Sequence, residues 1–394
     1  MGGGFAKTRA PRVRLVFAIK RLAHAAGGAE RVLCTLCSEL VARGHDITIL
    51  TFDQPGGQAF YPLDARVRRL DLGIGKSERA ATLGETWQRM KVLRRVLRAE
   101  RPDVVVGFMH SMFVPLAFAM AGTGIPVLGS EHIVPEHYRT RPLQYGLLII
   151  AALFLTTITV LSETIRVRYP ITVRCRMRVV PNPVALASAQ TEADAPQVHS
   201  ILLCIGRLEA QKDHGSLIRA FAHISPVFPD WQLLIVGEGS LRSELALLID
   251  NLGMAERIVM PGVMANINEA YQSARAFVIP SRYEAFGLVT AEAMSYGLPV
   301  IGFADCPGTN ELIVDGLNGL LVEPGEDRVA SLAQALSVLL SNPELRHRLG
   351  TAGRQSIIAC FSPGQVCDQW EGLLQECRNP FAHRLTNNKN DGVT

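Results

Sequence analysis

Short runs of β-branched and aromatic residues alternate along this chain with stretches whose apolar positions recur every three or four residues. In the first half the strand-like runs fall at 13–18, 47–51, 67–70, 104–107, 126–128 and 156–161. Between the first two, 29–43 puts Val32, Leu33, Leu36, Cys37, Leu40 and Val41 on one helical stripe that ends at Gly44. The second half repeats the scheme, with strands at 201–205, 232–236, 258–260 and 276–279 and helices at 217–224 and 241–252. Strands that are apolar on both faces and separated by helices predict parallel sheets covered on both sides. The expected fold is α/β, with two Rossmann-like doubly wound domains facing a cleft.

Proline, alanine and polar residues interrupt the pattern between the two halves. The expected organisation is a first domain at 1–182, a linker at 183–199 and a second domain at 200–360. A C-terminal helix at 361–378 could cross back to the first domain, and a loose tail follows at 379–394. Ligands of open α/β sheets bind at the carboxyl ends of the strands, so the site is expected between the halves. The stretch 143–161 has no charge and approaches the length needed to span a bilayer. Its second half, TTITVL, is β-branched and runs into Ser162, a helix cap, which predicts a buried helix and then a buried strand.

At 394 residues the chain is too long for one core and suits two domains. Its eight cysteines form no framework, so they read as buried reduced thiols in a cytosolic protein. The net charge of +4 hides an asymmetry: residues 1–190 hold 26 Lys and Arg against 13 Asp and Glu, and the remainder 14 against 23. A basic half suits an anionic partner such as a membrane surface. No zinc finger or RNA-recognition motif supports nucleic acid. The stretch 86–101 concentrates Arg89, Lys91, Arg94, Arg95 and Arg98 around an apolar stripe. It fits either a helix resting on an anionic bilayer or an ordinary solvated face.

The candidate chemistry lies at strand ends. PSRYEAFGLVTAEAMSYGLPVI follows the strand at 276–279, which puts Glu284 in the loop at its carboxyl end. A helix starts near Gly287 and stops at Gly297 and Pro299, so its first free amides sit beside Glu284, with Glu292 a turn inside. Two carboxylates there would bracket a bound phosphoester, one holding sugar hydroxyls and the other ribose hydroxyls. Two solvated glutamates on a surface helix are the plain alternative. CIGRLEAQKDHGSLIRAFA places Arg207 and Lys212 after the strand at 201–205. They are either fixed cations for a departing diphosphate or a surface salt-bridge pair. No Asp-x-Asp pair appears in a loop, and no metal or cofactor is expected.

In the first half Gly27 and Gly28 precede a helix and permit close backbone approach to a ligand. His110, and then Glu131 with His132, stand just beyond successive strand ends, where structural and functional readings are both open. DLGIGKSERAA imitates a P-loop but has Leu70 where the pattern requires glycine. VGEGSLRSEL lacks the third glycine of a dinucleotide fingerprint and reads as a turn near the donor.

Together GGAERVL, GRLEAQKDHGSLIRAF, LLIVGEGSLRSEL and the segment from PSRYEAFGLV to NELIVDGLNGLLV resemble the family-four retaining glycosyltransferases of the GT-B fold. The resemblance implies that Glu284 and Glu292 are the family's Glu-x7-Glu pair, near the donor sugar and the ribose. It implies that Arg207 and Lys212 bind the diphosphate, that Phe286, Gly287 and Leu288 form the phosphate-binding turn, and that Gly28 belongs to the N-terminal glycine loop. His110 stands where the family has an active-site histidine; FMHS departs from the commoner His-x-His form, which leaves His132 as the alternative. The implied activity is metal-independent and retaining. A hexose or N-acetylhexosamine passes from a nucleotide sugar, expected to be uridine-linked, to a lipid-linked or polysaccharide acceptor on the cytoplasmic face of the membrane. A nucleotide-sugar 2-epimerase and a non-catalytic nucleotide-sugar-binding partner are the competing readings.

Overall fold

The computed structural model describes residues 12–23, 27–74, 82–187, 200–264 and 266–378. The expected tail at 379–394, most of the expected linker and the glycine-lysine pair of the P-loop look-alike lie outside the described residues. The chain divides into two compact units, one formed by Met1–Pro183 with Pro363–Thr394 and the other by Val184–Ser362.

Unit 1 runs β1 (Arg14–Ala18), α1 (Gly28–Ala42), β2 (Asp46–Thr51), β3 (Arg68–Asp71), α2 (Leu83–Glu100), β4 (Val104–Phe108), α3 (His110–Met120) and β5 (Val127–Ser130). It continues through α4 (Pro142–Ala151), β6 (Thr157–Val160), the short α5 (Glu163–Arg166) and α6 (Ile171–Arg174), and β7 (Met177–Val179). All its recorded strand pairs are parallel, in the order β3-β2-β1-β4-β5-β6-β7. Unit 2 runs β8 (Ser200–Ile205), α7 (His214–Ile224), β9 (Trp231–Val236), α8 (Arg242–Asn251), β10 (Ile258–Gly262), α9 (Ile267–Ser273), β11 (Ala274–Ile279) and α10 (Leu288–Ser295). It ends with β12 (Val300–Phe303), α11 (Thr309–Leu312), β13 (Leu320–Val322), α12 (Arg328–Ser341) and α13 (Pro343–Cys360). Its sheet is also parallel, ordered β10-β9-β8-β11-β12-β13.

Both orders are doubly wound, so each sheet reverses its direction of growth once, at β1/β4 in unit 1 and at β8/β11 in unit 2. The loops leaving such a strand pair diverge to opposite faces and open a crevice between them. That topology puts the turn after β8 beside the turn after β11, and the loop after β1 beside the loop after β4. The core of unit 2 follows from the apolar strands: Leu202, Cys204, Leu233, Ile235, Ala276 and Val278 are sealed under Leu217, Phe221 and Leu336.

The last helix, α14 (Pro363–Arg378), belongs to unit 1. Trp370 packs edge-on against Phe17 and is stacked with Phe108 at 6.4 Å. Arg43 donates to Asp368 at 2.6 Å and to Glu371 at 2.7 Å, which closes this helix onto α1.

Two expectations need correction. The helix within 143–161 is not buried: Leu143 is 74% exposed, and Leu147, Ile150, Leu153 and Phe154 are exposed as well, while only Leu148 and Ala151 of α4 point inward. Periodicity fixed the helix but not which face another element covers. The thiols are not all buried either, since Cys175 and Cys360 are exposed.

Close helix packing makes a direct prediction. A Cβ on Gly350, in α13, would lie 2.0 Å from the Gly297 carbonyl oxygen, whereas one on Gly372, in α14, would meet nothing within 4 Å. Gly350→Ala should lower unfolding stability by about 1–3 kcal/mol, and Gly372→Ala should raise it by about 0.5–1 kcal/mol. Urea melts of the two variants check the contrast.

Candidate functional site

The site in unit 2 is built by two loops at the β8/β11 reversal. After β8 the chain turns through Gly206, Arg207 and Leu208 to Lys212, and after β11 it runs from Pro280 to Gly287. The loops are tied together by backbone and side-chain bonds: the Arg282 N–H donates to the Gln211 carbonyl at 2.9 Å, and Gln211 Nε2 donates to the Tyr283 carbonyl at 2.7 Å. On this frame Lys212 Nζ donates to Glu284 Oε1 at 2.5 Å, both side chains being only 12% and 11% exposed. The Ser281 hydroxyl donates to the same oxygen at 2.6 Å. The Lys212 stem lies over Gly206, where a Cβ would come within 3.3 Å of Lys212 Cδ.

Glycines let neighbouring loops close on this pair. Gly237 has φ +146°, and a Cβ there would stand 2.0 Å from the Gly206 carbonyl oxygen. The VGEG turn is thus a packing device that supports the Lys212 loop. Gly308 has φ +79°, and a Cβ there would meet the Glu284 carbonyl oxygen at 2.6 Å, while the Glu284 N–H donates to the Pro307 carbonyl at 3.0 Å. Only glycine fits there.

Helix α10 starts at Leu288 with Gly287 at φ +81°, so the leading amides of the helix lack intrahelical acceptors beside Glu284. Thr290, in this first turn, is fully buried with an unpartnered hydroxyl oxygen. Phe286 is buried and set edge-on against Phe361 at 5.5 Å. Glu292 is 4% exposed and accepts from the Tyr271 hydroxyl at 2.9 Å. Arg207 differs from Lys212: its side chain is 67% exposed and pairs with Glu209 at 2.9 Å.

The sequence reading passed over Arg328. Its side chain, 11% exposed, lies 3.5 Å above the Phe303 ring, pairs with Asp305 at 2.9 Å and approaches Asp213 at 3.4 Å. It also donates to the Ser281 carbonyl at 3.2 Å. Asp213 is a non-glycine residue at φ +48° and also pairs with Arg282 at 2.8 Å. These charges clamp the loops that carry Lys212 and Glu284. Arg328 opens α12 behind β13, a three-residue strand that the sequence pattern did not mark.

In unit 1 the β1/β4 reversal carries His110. Gly107 and Gly129 let α3 approach the sheet, since a Cβ on either would meet Phe113 at 2.7 or 3.0 Å. The residue before His110, Met109, has φ +67° and ψ 148°, a sparsely allowed conformation for a non-glycine residue. His110 Nδ1 is buried without a partner, and its ring is set edge-on to Tyr138 at 5.3 Å. Burial, then His137 and Arg141, push its pKa down to about 4. His132 is committed elsewhere: its ring stacks on Phe108 at 4.9 Å and its Nε2 lies 2.9 Å from the Ser130 hydroxyl. Glu131, 1% exposed, accepts from the N–H groups of His132 and Ile133 and from the Tyr138 hydroxyl at 2.7 Å. Burial raises its pKa to about 7 against those donors.

Gly28 is the first residue of α1, behind Gly27. A Cβ on Gly27 would be 2.1 Å from a Glu30 carboxylate oxygen, so Glu30 occupies the space that the glycines were expected to leave for a ligand. A carboxylate there suits hydroxyls rather than phosphate.

The basic helix α2 also needs correction. Arg89 is 8% exposed with its guanidinium 5.0 Å from the Phe52 ring, and Arg94 donates to the carbonyls of Ala119 and Ala121 at 2.7 and 2.9 Å. Lys91 lies 3.3 Å over Trp87, which leaves Arg95 and Arg98 pointing outward. Two of the five candidate membrane contacts thus serve the fold.

Two successive parallel, doubly wound α/β units are the architecture of the GT-B glycosyltransferases. Residues 26–188 match "Glycosyltransferase Family 4" and residues 190–356 match "Glycosyl transferases group 1". The lipopolysaccharide core biosynthesis glycosyltransferase LpsD of Rhizobium meliloti is 30% identical over 361 residues, covering 88% of this chain and 95% of the relative. An α-1,4-N-acetyl-D-galactosaminyltransferase of Campylobacter jejuni, acting on an undecaprenol-diphosphate-linked glycan, is 26% identical over 90% of this chain and 96% of the relative. The chain belongs to this glycosyltransferase family. Among solved structures, sucrose-phosphate synthase from Thermosynechococcus elongatus superposes with TM-score 0.78 at 21% identity over 93% of this chain and 99% of that one. Anabaena HepE in complex with UDP and glucose superposes with TM-score 0.75 at 18% identity over 92% and 100%.

The buried titrating groups predict an acid response. His110, His132 and His214 have folded pKa values near 4, below the usual 6.5, so between pH 6.5 and 4 the unfolded chain takes up their protons first and stability falls with pH. Glu131, raised to about 7, acts the opposite way and favours the folded state as pH falls from 7 toward 4.5. Burial raises the Glu30 carboxyl as well, so three histidines act against two carboxylates, and stability should decline below pH 6.5. His214 is 2% exposed with both ring nitrogens unpartnered, and His214→Leu should flatten the decline by up to about 1.4 kcal/mol per pH unit. Urea midpoints from pH 4.5 to 7 measure it.

Proposed function

We propose that the protein is a retaining, metal-independent glycosyltransferase that moves a hexose or N-acetylhexosamine from a uridine diphosphate sugar to a lipid-linked or polysaccharide acceptor. The reading serves cell-envelope or exopolysaccharide synthesis, with the enzyme on the cytoplasmic face of the membrane. The observation that carries it is Lys212 Nζ held 2.5 Å from Glu284, at a strand reversal and next to the free amides that open α10. A cation already desolvated and aimed is what a departing diphosphate needs. The relatives named above act in lipopolysaccharide core synthesis and on a polyprenyl-diphosphate-linked glycan. HepE was crystallised with UDP and glucose.

When a donor enters, Lys212 exchanges Glu284 for the β-phosphate, and the released Glu284 carboxylate accepts from sugar hydroxyls. The phosphate seats on the turn of Phe286, Gly287 and Leu288, and Glu292 serves the ribose. Arg207, largely exposed and paired with Glu209, closes on the diphosphate from solvent. The bond from the anomeric carbon to the β-phosphate oxygen then breaks. The acceptor oxygen bonds to the same face of the sugar, and a phosphate oxygen takes its proton. On unit 1 neutral His110, its Nδ1 unpartnered, takes the part of the active-site histidine that the family resemblance implies, while His132 and Glu131 hold the loop beside it. On unit 1 a hollow of about 670 Å³ lined by Phe60, Tyr61, Arg69 and Asp71 offers aromatic faces and a charge pair for acceptor sugar rings.

A panel of UDP-sugars assayed with a polyprenyl-diphosphate-linked glycan tests the reading. Lys212→Ala should cut transfer about a hundredfold or more, the scale of losing one preorganised donor to a leaving group. A variant near wild-type rate removes Lys212 from the mechanism, and donor interconversion without acceptor points to a 2-epimerase instead.

A further inference from the structure

Helix α4 turns its apolar side toward solvent. Leu143, Leu147, Ile150 and Phe154 follow at intervals of four, three and four residues, which places them on one stripe. They are 74%, 40%, 48% and 49% exposed, and Leu153 beside them is 61% exposed. The opposite side is fixed to unit 1: Leu148 and Ala151 are buried and Tyr145 stacks on Tyr138 at 5.3 Å. Phe154, in the turn just past the helix, stays half exposed while one part of its ring meets Phe118 at 5.7 Å. The stripe therefore stands on a rigid base.

Scattered exposed leucines need no explanation, but a continuous apolar ridge on a soluble domain does. The charge around it says what covers it. From 139 to 178 the chain carries seven arginines and a single acidic residue, Glu163; Arg166 is paired with Glu163 and Arg168 with Glu136, so the basic rim rests on the arginines nearer the helix. Arg139 and Arg141 stand exposed at the start of the helix, and the Arg176 guanidinium lies at its far end, 2.9 Å from the Leu155 carbonyl. Apolar residues rimmed by arginine match the boundary between acyl chains and anionic headgroups. With 10 residues the helix is too short to cross a bilayer, and among the described residues no helix is long and apolar enough to do so.

We propose that α4 is the membrane-docking face of this enzyme. Leu143, Leu147, Ile150 and Phe154 enter the outer edge of an anionic bilayer, and Arg139 and Arg141 pair with its headgroups. This places the contact on α4 instead of on α2, whose Arg89 and Arg94 are turned into the protein. The proposal concerns surface attachment and stands whether or not the donor chemistry above is right.

Co-sedimentation of the full chain, without substrates, with vesicles of phosphatidylcholine and about one third phosphatidylglycerol tests it. The wild-type chain should pellet, and Leu147→Ser with Ile150→Ser should lose about tenfold or more of vesicle affinity while keeping its melting temperature. Arg139→Glu with Arg141→Glu should lose binding as well, and Arg95→Glu with Arg98→Glu on α2 should bind like wild type. Three results overturn the proposal. One is a folded serine variant that binds as wild type. Another is retained vesicle binding with transfer lost only for a lipid-linked acceptor, which makes the ridge an acceptor-tail site. The third is wild-type sedimentation as a dimer that the serine variant dissolves, which makes it a contact between copies.

Discussion

The candidate site of the second unit depends on an ion pair kept mostly out of water. Lys212 and Glu284 are separated by 72 positions and meet at 2.5 Å with little exposure on either side. Desolvating two such charges is costly, and truncating one of them leaves the other unpaired at a cost of about 3–5 kcal/mol. The surrounding structure offsets this. Ser281 adds a second donor to the carboxylate, Gln211 ties the two loops together, and Arg328 with Asp213 and Asp305 anchors them from below. A pair maintained under such constraint is a poor choice for stability alone. It is well placed for a site in which an incoming diphosphate replaces the carboxylate.

Much of this was legible in the sequence because strand ends are. The buried run ending at Ile279 and the run ending at Ile205 each stop at a turn rich in glycine or proline, and the doubly wound order brings those two ends together. The direct bond between Lys212 and Glu284 was not legible, because spacing along the chain says nothing of distance across a sheet. The same limit hid Arg328, which acts through backbone carbonyls, and Tyr271, whose hydroxyl meets Glu292. The strand β7 escaped because Met177–Val179 is three residues long and flanked by arginine, an edge strand without an apolar signature. Strands β12 and β13 are comparably short and carry no alternation.

Charge and apolarity were harder to read than topology. The basic count of α2 was real, yet cation–π contact and carbonyl bonding turn two of its arginines inward. The apolar count of α4 was equally real, yet the stripe points outward. A helical pattern reports which residues share a face; only the packing of neighbours reports whether that face is covered. In unit 1 packing also tells apart His110, which the resemblance implied as the active-site histidine, and His132, its alternative. His132 is stacked and bonded behind the sheet, and His110 keeps an unpartnered nitrogen at a strained strand end.

The most direct measurement of the central claim is a crystal structure of the protein with uridine diphosphate. The account predicts the β-phosphate within hydrogen-bonding distance of Lys212 Nζ and of the first amides of α10, with the Lys212–Glu284 bond opened. A diphosphate bound elsewhere, with that bond intact, would contradict it.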